Sequence, residues 1–171
     1  MAMNARFFVE QLRQHLVERA AVAKRAEIDA RDAARTVATE SEKKEDGRTA
    51  LEFGSLATGQ QARAREAQQQ VAVLDALLGR GLPEFGRDSP IAIGAIVDVA
   101  TEDADGVLER TFIVLPVGAG TELEGPGGDG FLTVVTPASP VGKALIGKRA
   151  GEVTDVVIRG EPFEWEVLAV S

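Results

Sequence analysis

Small apolar side chains recur along the first eighty residues at alternating spacings of four and three. The first set is Leu12, Leu16, Arg19, Ala23, Ala26, Ala30, Ala33 and Val37, and the second is Ala50, Phe53, Ala57, Gln60, Ala64, Ala67, Val71, Leu74 and Leu78. This period of 3.5 residues is typical of a coiled coil. No proline precedes Pro83 and no glycine precedes Gly47. The pattern therefore predicts two long helices within residues 1–80.

A short charged segment, residues 36–53, separates the two sets and contains Gly47. It predicts the tip of an antiparallel helical hairpin, centred on about residues 39–49. Large apolar residues lie at the base of the hairpin, which is the end of both helices farthest from the tip, and small apolar residues lie in the middle of the hairpin. Because small side chains bury little area, the base of the hairpin is expected to be its stable end.

The pattern changes from Ile91 onward, where Val and Ile replace Ala and short runs alternate with turn residues. Strands are predicted at residues 96–100, 109–117, 131–136, 152–158 and 163–170, with a hairpin turn at 103–106 and a glycine-rich loop at 118–130. Ser139 and Pro140 predict the start of one short helix, and Gly147 predicts its end. The predicted fold is α+β: a hairpin at 1–80, a linker at 81–90, and at 91–171 a twisted, mainly antiparallel sheet covered by one helix.

Composition excludes several classes of site. The chain has no cysteine and one histidine, His15, so disulfides, thiolate metal sites and pairs of imidazoles are ruled out. Apolar runs are far too short for a membrane span, and the first twenty residues lack the features of a signal peptide. The expected location is the cytoplasm, with no membrane partner.

Charge is distributed unevenly between the two parts of the chain. Residues 1–80 hold 13 Lys/Arg and 12 Asp/Glu, a net of +1, whereas residues 81–171 hold 6 and 15, a net of −9. Affinity for nucleic acid comes mainly from cationic contacts to phosphates. Direct binding to free DNA is therefore not expected, and another protein would have to bring this chain to nucleic acid.

A compact motif links the C-terminal part to a known family. It consists of Ser139, Pro140, Val141, Gly142, Lys143, Ala144, Leu145, Ile146, Gly147 and Lys148. This stretch resembles the C-terminal domain of the bacterial Gre transcription factors (GreA/GreB), which carries Ser-Pro-x-Gly/Ala-x-Ala-Leu-x-Gly-Lys at this place. The order of parts is also similar, since that family has an N-terminal antiparallel coiled coil, a linker and an FKBP-like domain.

The resemblance implies a transcription elongation factor that binds RNA polymerase at its secondary channel. The FKBP-like domain would dock on the channel rim, and the coiled coil would enter the pore. Acidic tip residues would help the polymerase to hold its second Mg²⁺ and to hydrolyse backtracked RNA, which suits the preference of Mg²⁺ for oxygen ligands. The chain itself is then expected to be an accessory factor and not an enzyme. No cofactor of its own is expected, and Mg²⁺ would be shared with RNA polymerase through Asp46.

The predicted tip departs from the family pattern, which reads Gly-Asp-x-x-Glu-Asn-x-Glu/Asp-Tyr. The alignment places Asp46 at the first acid, Thr49 at the following Glu and Glu52 at the last acid. The second carboxylate of the Asp-x-x-Glu pair is thus replaced by a hydroxyl. The candidate catalytic acids are Asp46, Glu45, Glu42 and Glu52, and both cleavage stimulation and regulation without cleavage stay open.

Two groups of residues are candidates for partner binding. Ser139, Pro140, Val141 and Gly142 would form the docking turn of the C-terminal domain. Lys43, Lys44 and Arg48 would contact polymerase or nucleic acid at the tip, or would simply balance the neighbouring carboxylates. A monomer is favoured. The alternative hypothesis is an adaptor whose hairpin binds another coiled coil and has no relation to RNA polymerase.

Overall fold

A computed structural model of the chain describes residues 4–40, 44–103 and 106–171, with backbone only for 39–40, 44–46 and 103. The helices are α1 (Ala5–Glu40), α2 (Lys44–Arg80) and α3 (Pro140–Leu145). The strands are β1 (Ile96–Asp103), β2 (Gly106–Val114), β3 (Glu122–Glu124), β4 (Phe131–Val135), β5 (Val153–Ile158) and β6 (Glu161–Val170). None of the helices in these ranges is long and apolar enough to cross a membrane.

Helices α1 and α2 extend much further than the predicted tip allowed. Residues 36–53 were expected to form a break, yet α1 continues to Glu40 and α2 begins at Lys44. The start of α2 is rich in Lys, Glu, Arg, Ala and Leu, which are strong helix formers, and Gly47 costs only about 1 kcal/mol relative to alanine. Only residues 41–43 stand between the two helices, and they lie outside the described residues.

The chain divides into two compact units. One is Arg13–Ala72, which holds most of α1 and α2, and the other combines Met1–Leu12 with Val73–Ser171. The second unit thus contains the start of α1, the end of α2 and the whole sheet. The boundaries predicted at residues 80 and 90 stay predictions.

Within Arg13–Ala72 the two helices run antiparallel. Val17 and Lys24, early in α1, line one groove with Gln68 and Val71, late in α2, as expected for two consecutive helices that run antiparallel. The buried alanines that form the contact are Ala20, Ala23, Ala30, Ala57, Ala64 and Ala67. The predicted contact positions of α2 are therefore confirmed. In α1 the predicted positions Leu12, Leu16, Ala23 and Ala30 are buried, but at two points the next residue is buried instead: Ala20 in place of Arg19, and Glu27 in place of Ala26.

The six strands form one sheet in the order β3-β4-β2-β1-β6-β5. The pairs β1–β2, β1–β6, β3–β4 and β5–β6 are antiparallel, as predicted, but β2 and β4 are parallel. The sheet is mixed because β3 lies between β2 and β4 in the chain and pairs only with β4. Since β3 and β4 are antiparallel, β4 runs in the same direction as β2. The predicted α+β class, with a mainly antiparallel sheet and one covering helix, is confirmed, and β2–β4 is the one parallel pair among the described strands.

The core of the domain lies between the sheet and α3. Its buried residues are Ile91, Ala95, Val97, Val99, Phe112, Val114, Val135, Leu145, Val156, Trp165, Val167 and Val170. The rings of Phe112 and Trp165 stack at a centroid distance of 5.4 Å with an interplanar angle of 14°. Phe85 and Ile93 also pack against this core, so the predicted linker contributes to the domain's packing.

Strand β3 lies inside the stretch that was predicted to be an irregular loop. Its three residues include one buried side chain, Leu123. Gln11 of α1 holds the strand from outside: its amide nitrogen donates to the Glu124 carbonyl at 3.2 Å, and its amide oxygen accepts from the Glu124 N–H at 2.9 Å. A strand of three residues is too short to show an alternating pattern, which explains why it was missed.

Candidate functional site

The predicted tip acids lie at the start of α2. Glu45 and Asp46 belong to its first turn, for which only the backbone is described, while Glu42 and Lys43 lie outside the described residues. The same limit applies to the side chain of Lys44. The roles of these residues therefore stay predictions.

Helix α2 sets the spacing of the residues that were aligned with the family's tip pattern. Asp46 and Thr49 are three residues apart in the same helix, and such positions are neighbours on its surface. Glu45 directly precedes Asp46, so the two positions point about 100° apart. The helical spacing thus suits an Asp-x-x-Glu pair, but Thr49 supplies no carboxylate.

Glu52 and Arg48 form an ion pair with each other one turn further along α2. The Arg48 Nε lies 3.4 Å from the Glu52 Oε1, and the two side chains are 86% and 67% exposed. Ion pairs this exposed contribute little to stability. The contact nevertheless shows that Glu52 and Arg48 can balance each other's charge, which is the simpler of the two roles considered for Arg48.

Metal binding at this end of the hairpin was predicted from its acidic side chains. Carboxylates such as those of Glu45 and Asp46 are the ligands that Mg²⁺ prefers. Among the described residues no group of three or more histidine, aspartate or glutamate side chains is arranged to hold a metal ion. The sharing of a Mg²⁺ ion with RNA polymerase through Asp46 stays a prediction.

The second candidate region is the turn into α3, where Ser139 is the N-cap. Its hydroxyl accepts from the Gly142 N–H at 3.1 Å and from the Thr136 N–H at 3.2 Å, and it donates to the Thr136 carbonyl at 2.7 Å. Pro140 occupies the first turn, where a missing N–H has no cost. Ser139 therefore has all its hydrogen-bonding capacity used within the turn.

Two glycines of the motif are required by the fold. A Cβ on Gly142 would lie 1.9 Å from the Thr136 carbonyl oxygen, which no side chain tolerates. Gly147 has φ +82°, a conformation that favours glycine, and its N–H donates to the Ile91 carbonyl at 2.8 Å. Much of the family motif is thus explained by the way α3 is attached to the sheet.

The surface of this turn differs from the predicted docking site. Pro140 is exposed, but Val141 is half-buried and packs against the core, and Gly142 is buried. Because Val141 packs partly against the core, only part of its side chain is left for a partner, and its role in docking stays a prediction. Pro140, Lys143 and Ile146 are exposed, and we call these three residues the α3 patch.

Sequence reasoning missed a buried charge within Arg13–Ala72. Glu27 is 1% exposed and is the one polar or charged residue that is buried among the side chains the structure describes. Its carboxylate lies 2.9 Å from the Lys24 Nζ and 2.8 Å from the Arg31 Nη2. The sequence did contain a signal for this buried charge. Glu27 directly follows a predicted contact position, and it has a cation three residues before it and another four residues after it.

The environment of Glu27 makes a pH dependence predictable. The hydrogen bond from Lys24 lowers the pKa of Glu27 below its ordinary value of 4.5, with Arg31, Lys24 and Arg65 adding to this and burial opposing it. Because the folded-state pKa is the lower one, the carboxylate stabilises the fold above pH 4.5, and this stabilisation is lost as pH falls through the lowered value.

A Glu27→Gln variant is therefore expected to melt below the parent at pH 7, with a difference that shrinks as the pH approaches 3. Circular dichroism at 222 nm, followed against temperature at each pH, measures both proteins. Glu18→Gln, at an exposed glutamate of α1 whose carboxylate accepts from the Gln14 side chain, is the control. A difference from the parent that stays constant with pH would contradict the assignment.

Comparison with known proteins decides the family of the sheet domain. Residues 87–171 match the family described as "Transcription elongation factor, GreA/GreB, C-term". The C-terminal domain of the chain belongs to the GreA/GreB family. The match covers every strand, the turn at Ser139 and α3, so the resemblance seen in ten residues extends over the whole GreA/GreB domain.

Solved structures similar to the chain come from the same group of factors. GreA factor homolog 1 of Thermus thermophilus is 20% identical, with 93% of this chain and 94% of that chain covered and a TM-score of 0.38. Its Thermus aquaticus counterpart is 18% identical, with 92% of each chain covered and a TM-score of 0.34. A GreA/GreB factor of Nitrosomonas europaea is 14% identical over 61% of this chain and 78% of that chain, with a TM-score of 0.34. No curated protein matches the sequence.

Proposed function

We propose that this chain is a transcription elongation factor that binds RNA polymerase at the secondary channel, with its C-terminal domain on the rim and its helical hairpin inside. The observation that carries this proposal is the GreA/GreB C-terminal domain at residues 87–171, preceded by two long helices. It acts as an accessory factor, and the chemistry takes place in the polymerase.

The hairpin has the form that such a role requires. Helices of 36 and 37 residues are each about 55 Å long at about 1.5 Å per residue. Their contact within Arg13–Ala72 is made largely by alanine. Small side chains permit a close approach of the two helices, which keeps the hairpin slender enough to enter a channel.

The α3 patch is the part of the C-terminal domain that we assign to docking. Pro140 and Lys143 are exposed, and Ile146 is 38% exposed, in an acidic domain where cations are few. A rigid proline, an apolar side chain and one cation together give a compact surface that orients a partner. The Ser139 hydrogen bonds fix this surface before binding, which reduces the entropy lost on docking.

The residues at the tip of the hairpin fit occupation of the polymerase channel better than they fit a role in RNA cleavage. Asp46 offers one carboxylate, and the position three residues later is Thr49, a neutral hydroxyl. Mg²⁺ that is shared with the polymerase usually takes one or two protein carboxylates. We therefore assign to the parent protein regulation of the polymerase, with transcript cleavage weak or absent.

Binding to purified core RNA polymerase tests the proposal. The parent chain is expected to bind, and Lys143→Glu combined with Pro140→Ala is expected to weaken binding about tenfold, since reversing a charge at the edge of an interface typically affects affinity to this degree. Arg110→Glu, at an exposed cation of β2 in the same domain, is the matched control and should bind normally.

The outcome also separates the proposal from the adaptor hypothesis. Thermal melting of the variants must be unchanged for the loss to be assigned to docking. If the parent does not bind core polymerase but pulls down another coiled-coil protein from the same lysate, the adaptor hypothesis is correct. If Arg110→Glu weakens binding as much as the double variant, the α3 patch is not the docking site.

A further inference from the structure

The contact between α1 and α2 in Arg13–Ala72 is made mostly of small residues beyond Leu16. The buried alanines are Ala20, Ala23 and Ala30 on α1 and Ala57, Ala64 and Ala67 on α2. Because the contacting side chains have the same size, they would pack almost equally well if one helix slid along the other by one turn. Alanine therefore specifies the axial register of the two helices only weakly. Gly47, Gly54 and Gly59 lower the cost of the local unwinding that such a slip would need near the tip.

Glu27 interrupts this uniform contact with a buried charge. Its carboxylate is held by Lys24 and Arg31 of its own helix, at 2.9 Å and 2.8 Å. These two cations move with Glu27 when α1 slides, so they cannot distinguish one register from another. Discrimination has to come from a charge on α2.

Arg65 of α2 supplies that charge. Lys24 and Gln68 line the same groove, so three residues further along α1 and three residues back along α2 bring Glu27 to the level of Arg65. Arg65 also contributes to the attraction that keeps Glu27 ionised. Sliding α2 by one turn would remove Arg65 and place a neutral residue, Gln61 or Gln68, at the level of the buried carboxylate. In the shifted register Glu27 would keep its ion pairs with Lys24 and Arg31 but lose the attraction of Arg65, which makes that register less favourable.

We propose that Glu27 is a positioning residue that fixes the axial register of α1 against α2 through Arg65. A polar residue at one position of a coiled-coil contact is a well-established way to select one register from several. The register also determines which residues of α2 stand at the end of the hairpin. That consequence for the polymerase rests on the proposed function, whereas the register itself does not.

The absence of cysteine from the chain makes a direct test possible. Ala30→Cys on α1 is combined in separate proteins with Ala57→Cys, Gln61→Cys or Ala64→Cys on α2. These three positions differ by about one helical turn each, and all three are buried or half-buried. The rate of disulfide formation under mild oxidation then reports which register is populated.

In the parent background one pairing is expected to form about tenfold faster than the other two. Adding Glu27→Gln or Arg65→Met is expected to reduce this preference to about threefold or less, because the neighbouring registers become populated. Glu18→Gln, an exposed glutamate of α1, is the control and should retain the parent's preference. Helix content measured by circular dichroism confirms that each variant is folded.

Two results would overturn the proposal. If Glu27→Gln and Arg65→Met keep the parent's preference, the register is fixed elsewhere. If Glu27→Gln lowers the preference but Arg65→Met does not, Glu27 does not act through Arg65, and the proposed pairing across the two helices is wrong. Both results concern the free protein, so they stay interpretable even if the chain fails to bind RNA polymerase.

Discussion

Replacement of Gly142 by alanine is expected to lower the unfolding free energy of the C-terminal domain by about 3 kcal/mol or more. The added Cβ would stand 1.9 Å from the Thr136 carbonyl oxygen and 2.7 Å from the carbonyl carbon, both of them backbone atoms. A backbone atom cannot rotate away as a side chain can. Relief would require the start of α3 to move, which breaks the hydrogen bonds that the Ser139 hydroxyl makes to Gly142 and Thr136.

Thermal and urea unfolding, followed by the fluorescence of the buried Trp165, measure this loss in the domain itself. Gly79→Ala is the matched control, because it lies in the same compact unit and its Cβ would have no neighbour within 4 Å. Since Gly79 is helical, the control is expected to be neutral or to stabilise by about 0.5–1 kcal/mol. A Gly142→Ala domain that melts with the control would show that the turn is not as tightly packed as described.

A Thr49→Glu variant is expected to raise cleavage of backtracked RNA about tenfold or more over the parent, in the range that one added catalytic group typically supplies. Asp46 and Thr49 are three residues apart in α2, the spacing at which two side chains are neighbours on a helix. A glutamate at position 49 would therefore complete a pair of acids. The second carboxylate would help to position the shared Mg²⁺ or to orient the attacking water.

Stalled elongation complexes with labelled RNA give the measurement. Asp46→Ala should remove whatever cleavage the parent shows, and Thr49→Gln, which adds length without charge, should gain nothing. Strong cleavage by the parent that survives Asp46→Ala would mean that the tip alignment is wrong and that Glu40, Glu42, Glu45 and Glu52 must be tested. A Thr49→Glu protein that binds normally without gaining activity would leave channel occupation as the function.

Periodicity predicted the elements of the fold better than their connections. The contact line of α2 from Ala57 to Leu74 followed directly from the 3.5-residue spacing, because its predicted positions are mostly apolar and are buried or half-buried. The parallel pairing of β2 with β4 could not be predicted, since it depends on β3, whose three residues show no alternation. Gln11, more than a hundred residues away in sequence, holds that strand in place.

The residues that form the turn into α3 were predicted from the sequence, but the solvent exposure of their side chains was not. The Ser139–Gly147 motif indicated the cap and the short helix correctly, because capping depends on local sequence. Whether Val141 faces solvent or the sheet depends on how α3 sits on the core, which no local pattern contains. Glu27 was missed because charged residues are rarely buried. The predicted contact line therefore included its neighbour Ala26 instead.

Hydroxyl-radical cleavage from the end of the hairpin tests the central claim most directly. The chain has no cysteine, so an iron chelate attached at Arg48→Cys or, as a control, at Glu18→Cys marks one position each. Both sites are exposed, and each labelled protein is first shown to bind core polymerase. If the hairpin enters the secondary channel, the label at position 48 will cut polymerase near its catalytic Mg²⁺ and the RNA 3′ end, while the label at position 18 will cut elsewhere. Bound protein whose label at position 48 leaves the active centre uncut, or whose two labels give the same cuts, would contradict the account.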